Sequence, residues 1–193
     1  MKSSLVDLNS IIIMDMQELD ASQLEEAAGV LHRSILWGWP AIEDARQEIK
    51  ERLIPENTML AALGEGTVLG WGGILEAGYD GKVKELHPLA VDVPYQRQGI
   101  GRILVEALEE AAGKQGALTI FLGADDEKEP PETSLANVDL YHDLPAALSS
   151  FEAGSHQAGF YLKMGYSIIG VMPDANGFGK PDIFLGKSLR PEK

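Results

Sequence analysis

The spacing of apolar residues changes several times along the chain, and each change predicts a new element. An apolar run within residues 10–14 predicts a first strand, and Asp20-Ala21-Ser22-Gln23 then predicts a helix start. Leu24, Ala27, Ala28, Leu31 and Ile35 follow at helical intervals. Gly38 and Pro40 interrupt the pattern before a second helix over residues 41–53. Strands are expected over 58–63 and 67–75, joined by a hairpin at Glu65-Gly66. Gly78-Tyr79-Asp80-Gly81 makes a further turn.

The next stretch organises the rest. Leu86, Leu89, Val91 and Val93 alternate as in a strand, and the chain then turns through residues 96–101. Beyond the turn, Ile103, Leu104, Ala107, Leu108 and Ala111 recur at helical spacing until Gly113 and Gly116 stop the helix. Residues 118–122 form a strongly apolar strand, so strand, crossover helix and strand imply a parallel pair. The pattern dissolves over 123–157, apart from one short helix expected around 145–151. A helix over 156–164 closed by Gly165, a strand over 166–171, a turn over 173–177 and a strand over 182–189 complete the chain. With no repeat and no linker, the expectation is a single α/β domain over residues 1–193.

A strand that runs through glycines into a helix makes a place for an anion. The first N–H groups of the helix lack internal partners, and the helix dipole adds positive potential there. Gly99 and Gly101 allow close approach to the backbone, and Arg97 and Arg102 supply charge. The implied ligand carries a phosphate or pyrophosphate. Two familiar phosphate loops are excluded, because neither G-x-G-x-x-G nor G-x-x-x-x-G-K-[ST] occurs at this junction.

Composition narrows the picture. The net charge of −14 repels nucleic acid and favours a cationic partner. No apolar run approaches the roughly 20 residues of a membrane span, and the N-terminal stretch lacks a secretory apolar core. The absence of cysteine removes disulfides, a thiolate nucleophile and cysteine metal sites, leaving the cytosol as the expected compartment and no metal as the expectation.

Gln96-x-x-Gly99-x-Gly101 between strand and helix resembles the pyrophosphate loop of the GNAT superfamily of N-acetyltransferases. Phe160-Tyr161-Leu162-Lys163-Met164-Gly165-Tyr166 resembles that superfamily's second hallmark, in the right order. Within the superfamily, Glu85-Leu86-His87-Pro88-Leu89, Ile120-Phe121-Leu122-Gly123-Ala124-Asp125-Asp126, Asp139-Leu140-Tyr141 and residues 170–183 are similar to aminoglycoside 6'-N-acetyltransferases of the enterococcal chromosomal type. Before Glu85 the likeness reduces to Trp39-Pro40 and Tyr79.

The resemblance implies a GNAT fold: a mixed sheet whose two central parallel strands splay apart, flanked by helices, with acetyl-coenzyme A in the V between them. It implies that backbone groups along Leu89, Ala90 and Val91 meet the pantetheine arm, with the Leu89 N–H polarising the thioester carbonyl. The amides of Gln96, Arg97, Gln98, Gly99, Ile100 and Gly101, with Arg97 and Arg102, would hold the pyrophosphate. Tyr161 would act as acid toward the departing thiolate, and Trp39, Tyr79, Glu85, Asp125 and Asp126 would line or neighbour the acceptor site. The resemblance also points to a homodimer. The acidic segment departs from the relatives by inserting Lys128 and Pro130-Pro131.

The residues read by themselves leave alternatives open. Glu85 suits a base acting through water, a carboxylate holding a positive charge, or a solvated strand entry. His87 suits the acceptor site or a packed, hydrogen-bonded histidine. Pro88 cannot donate to a ladder and so predicts a bulge or an edge, and a bulge would help free the next amide. Asp125-Asp126 suits an ammonium or plain solvation, and Trp39 and Phe160 suit the core. The expected activity is direct acetyl transfer from acetyl-coenzyme A to a polycationic amine, the 6'-amine of an aminoglycoside first. Polyamines or basic peptides are the alternative acceptors, and a silent acyl-coenzyme A-binding module is the non-catalytic alternative.

Overall fold

The computed structural model describes residues 6–190. They form two compact units: one runs to Leu118 and takes back the chain at Leu189, and the other is residues 119–188. Among the described residues no helix is long and apolar enough to cross a membrane.

The first unit is a four-stranded antiparallel sheet in chain order: β1 (Ile12–Asp15), β2 (Thr58–Gly64), β3 (Thr67–Glu76) and β4 (Val83–Val91). Its helices are α1 (Ala21–Ser34), α2 (Ile42–Arg52) and α3 (Ile100–Lys114). The start of α1 is set by a reciprocal cap. Asp20 Oδ1 accepts from Gln23 N at 2.9 Å, and Gln23 Oε1 accepts from Asp20 N at 3.1 Å. The β2–β3 hairpin turns where expected, because Glu65 and Gly66 both take positive φ, as a twist-matched two-residue turn requires. The first strand begins later than its apolar run suggests. Residues 8–10 close a 3-10 turn, in which Asp7 Oδ1 accepts from Asn9 N, so Ser10 lies outside β1.

Helix α1 packs on β3 through the fully buried Trp71, whose indole N–H donates to the Ala27 carbonyl at 2.8 Å. Burying an indole and satisfying its one donor together fix how α1 lies on the sheet. A second clamp, not foreseen from the sequence, holds the end of β4. Arg33 reaches both carboxylate oxygens of Asp92, at 3.0 and 2.9 Å, and Asp92 Oδ1 also accepts from Val93 N. This two-pronged pairing fixes where the chain leaves the strand.

In the second unit β5 (Thr119–Asp125), β7 (Asp182–Ser188) and β6 (Ser167–Met172) pair antiparallel in that order, with helices α4 (Leu140–Ser149) and α5 (Ala158–Lys163). The short helix expected around 145–151 begins earlier. Asp139 caps Tyr141 N, and a break at Asp143, with φ −154°, lets its side chain cap Ala146 N just past Pro145. The sequence pattern captured only the second of these two turns, since Pro145 favours a helix start and obscures the first. Helix α5 is shorter than residues 156–164, because His156 belongs to the turn ahead of it.

Candidate active site

Strand β4 carries Glu85, His87, Leu89, Ala90 and Val91 and contains the bulge that Pro88 predicts. Leu86 pairs with Ile74 and Leu89 with Gly72, so His87 and Pro88 together face Gly73. Three glycines of β3 admit this backbone. A Cβ on Gly70 would stand 2.7 Å from the Ala90 carbonyl, one on Gly72 2.9 Å from that of Pro88, and one on Gly73 3.0 Å from that of His87. The signal was in the sequence, since Gly70-Trp71-Gly72-Gly73 inside a strand marks close backbone approach. Ala90 is buried, whereas Leu89 and Val91 are half-buried.

After β4 the chain makes a 3-10 turn over residues 93–95 and enters α3. Gln96 and Gln98 stitch the turn: Gln96 Nε2 donates to the Val91 carbonyl at 3.0 Å and Gln98 Nε2 to that of Pro94 at 3.2 Å. Gln98 Oε1 also accepts from Val6 N at 3.0 Å. Arg97 and Gly99 take φ of 63° and 97°. Gly99 is the N-cap of α3 and supplies no side-chain acceptor, so the opening N–H groups at Ile100, Gly101 and Arg102 have no side-chain cap. Arg97 is exposed and forms no ion pair among the described residues, while Arg102 lies 3.6 Å from Glu106 one turn along. This geometry fits a pyrophosphate: uncapped amides, a cap residue without a side chain and an unpaired guanidinium.

Glu85 is half-buried in the ladder opposite Leu75, and its side chain makes no hydrogen bond or ion pair among the described residues. His87, two residues on, is engaged. Its Nε2 lies 3.4 Å from Glu48 Oε1, and its ring centroid lies 6.1 Å from that of Trp39. Trp39 is half-buried against the core of this unit, and its carbonyl lies 2.9 Å from His32 Nδ1. Tyr79 is 75% exposed in a tight turn, where four consecutive residues from Gly78 to Gly81 take positive φ.

The second unit carries Tyr161, Asp125 and Asp126. Tyr161 is buried on α5 between the rings of Phe160 and Tyr166, with centroids 5.0 and 5.4 Å away. Burial pushes its phenol above the ordinary value, so the proton stays on oxygen. Asp125 is exposed at the end of β5 and accepts from Asn176 Nδ2 at 2.7 Å. Asp126 is not the solvated loop residue its neighbours suggest. It is fully buried, and its carboxylate accepts from Glu132 N, Thr133 N and Thr133 Oγ1 at 3.0, 2.9 and 2.7 Å. Its evident work is to fold the acidic segment back on itself.

Asp126, Glu132 and His156 bring their ligand atoms within 4.8 Å of one another, a spacing that invites a cation. Each atom already has a partner, however. His156 Nδ1 accepts from Ala158 N and Nε2 donates to the Asp125 carbonyl, while Glu132 takes Lys128 and Ser155. The cluster is a hydrogen-bonded brace.

Asp182, opposite Asp125 on β7, was missed by sequence reasoning. Its carboxylate lies over Gly123, where a Cβ would come within 2.8 Å of Oδ2, and Oδ1 is buried with no hydrogen-bond partner among the described residues. Burial, and next the charge of Asp125, raise its pKa to about 6. An acid with a raised folded pKa favours the native state when protonated. That benefit is full below the unfolded value of 3.8 and is lost as pH rises through about 6. Asp182→Asn is therefore expected to raise the melting temperature at pH 7.5 and leave it nearly unchanged at pH 4, as differential scanning calorimetry would record.

Residues 17–136, more than half of the chain, match the model of the acetyltransferase (GNAT) family. No curated protein matches. Among solved structures, an aminoglycoside 6'-N-acetyltransferase complexed with coenzyme A shares 31% identity at a TM-score of 0.86. The aminoglycoside 6'-N-acetyltransferase from Enterococcus faecium shares 32% at 0.84. Each likeness covers 94% of this chain and 99% of the other. The ribosomal-protein-S18-alanine N-acetyltransferase from Escherichia coli, 16% identical with a TM-score of 0.63, shares the fold. A mixed α/β chain with these motifs, this strand-to-helix junction and these relatives belongs to the GNAT acetyltransferase family.

Proposed function

We propose that the protein transfers acetyl from acetyl-coenzyme A to a primary amine of a polycationic acceptor, the 6'-amine of aminoglycosides being the acceptor its likeness favours. The observation that carries this reading is the uncapped start of α3 beyond the bulged β4, in a chain aligned over 94% of its length with a coenzyme A-bound aminoglycoside 6'-N-acetyltransferase. The cosubstrate supplies an activated acyl carbon. The amides from Gln96 to Arg102, with Arg97, hold its pyrophosphate, and the backbone along Leu89, Ala90 and Val91 meets its pantetheine arm.

The remaining steps fall to groups that already suit them. The Leu89 N–H faces the oxyanion that develops on the thioester carbonyl. An aliphatic ammonium holds its proton to a pKa of about 10, so the unpartnered Glu85 takes that proton through water or balances its charge. Tyr161, held protonated, donates to the sulfur as negative charge gathers there. Asp125 attracts the acceptor's ammonium groups, and Trp39 and Tyr79 offer faces to its rings, while Asp126 shapes the loop beside Asp125. Transfer is direct, since no cysteine exists to carry an acetyl-enzyme.

Thiol release from acetyl-coenzyme A with kanamycin, spermidine or a basic peptide tests the proposal. Release with kanamycin far above the other two supports it. Preference for spermidine or the peptide replaces the acceptor, and binding of coenzyme without release to any amine reduces the protein to a binding module.

A further inference from the structure

The Glu48 side chain has no part in the roles above, yet it meets one of the β4 candidates. Its side chain is 12% exposed, and its Oε1 lies 2.7 Å from Arg52 Nε, one turn further along α2. The same oxygen lies 3.4 Å from His87 Nε2, at the bulge of β4. Contact with His87, followed by that with Arg52, outweighs burial and holds the Glu48 carboxyl at about 2, so it is ionised at neutral pH. An ionised carboxylate only accepts hydrogen bonds. A neutral imidazole facing it therefore carries its hydrogen on Nε2 and keeps its lone pair on Nδ1. Trp39 packs beside the ring, and the His87 side chain is 38% exposed, so the imidazole is fixed without being sealed.

We propose that Glu48 is a positioning residue for acetyl transfer: it fixes the orientation and tautomer of His87, so that Nδ1 is the ring's acceptor for an N–H of the incoming amine. This rests on reading β4 as the strand where acetyl is transferred. The arrangement follows the general logic of a carboxylate that orients an imidazole by binding one nitrogen so that the other can work. Arg52 supports it by holding Glu48 in place from its own helix.

Two variants and two readouts test this. Nitrogen chemical shifts of the His87 ring, recorded at a pH where it is neutral and without any substrate, report the tautomer directly. Wild type and Glu48→Gln are expected to show hydrogen on Nε2, because glutamine still offers an oxygen; Glu48→Ala is expected to show a mixture. In turnover, Glu48→Ala is expected to lower kcat/KM for the amine on the order of tenfold. Glu48→Gln should stay within about threefold of wild type, and KM for acetyl-coenzyme A within about twofold for all three proteins. A tautomer unchanged in Glu48→Ala overturns the proposal. So does an amine kcat/KM within twofold of wild type in Glu48→Ala, or a Glu48→Gln protein as impaired as Glu48→Ala. Should the wild type acetylate no amine, the proposed function fails, while the ring shifts still decide whether Glu48 sets the tautomer.

Discussion

Tyr161→Phe is expected to lower kcat about a hundredfold while leaving acetyl-coenzyme A affinity and thermal stability close to wild type. The phenol makes no hydrogen bond among the described residues, and its ring is held by Phe160 and Tyr166. Phenylalanine fills the same space and gives up no hydrogen bond among the described residues. What it loses is the O–H. Burial makes that O–H reluctant to ionise, so its best service is a hydrogen bond to sulfur that strengthens as negative charge arrives, rather than early proton release. Such an interaction belongs to the transition state and so appears in kcat. Single-turnover kinetics with a saturating amine would check it, and unchanged turnover would remove Tyr161 from the mechanism.

Gly72→Ala is expected to cost about 2 kcal/mol of stability and to impair acetyl transfer with it. The new methyl would meet the Pro88 carbonyl at 2.9 Å, Leu89 Cδ1 at 3.1 Å and Leu108 Cδ1 at 3.2 Å. The first of these is backbone and cannot swing aside, so β3 and the bulge of β4 must part. That displacement falls on Leu89, whose amide the proposed mechanism uses. Gly113→Ala is the contrasting case. It lies in α3 with nothing within 4 Å of a Cβ, and alanine there should stabilise by roughly 0.5–1 kcal/mol through helix propensity. Urea unfolding of both variants beside wild type would separate close backbone approach from the general effect of losing a glycine.

Much of the fold was legible because its signals are local. Asp20 and Gln23 specify one cap, Glu65 and Gly66 one hairpin, and Pro88 one bulge, each through contacts or dihedrals a few residues long. The acidic segment was not legible. Asp126 resembles a solvated carboxylate in sequence, and only the return of Glu132 and Thr133 shows why it is buried. Asp182 and Glu48 were invisible for the same reason. Nothing near Asp182 in sequence announces that it pairs across the sheet with Asp125, and α2 carries several glutamates of which only Glu48 reaches His87. The junction between β4 and α3 stood between these cases. Gly99 proclaimed the turn, whereas the stitching by Gln96 and Gln98 required the coordinates of the carbonyls they meet.

The proposed transfer requires a nucleotide thioester to be gripped where β4 gives way to α3. Titrating the purified protein with acetyl-coenzyme A in an isothermal calorimeter tests that most directly. One saturable site per chain is expected, with a Kd between roughly 1 μM and 1 mM. No saturable heat at millimolar thioester would contradict it.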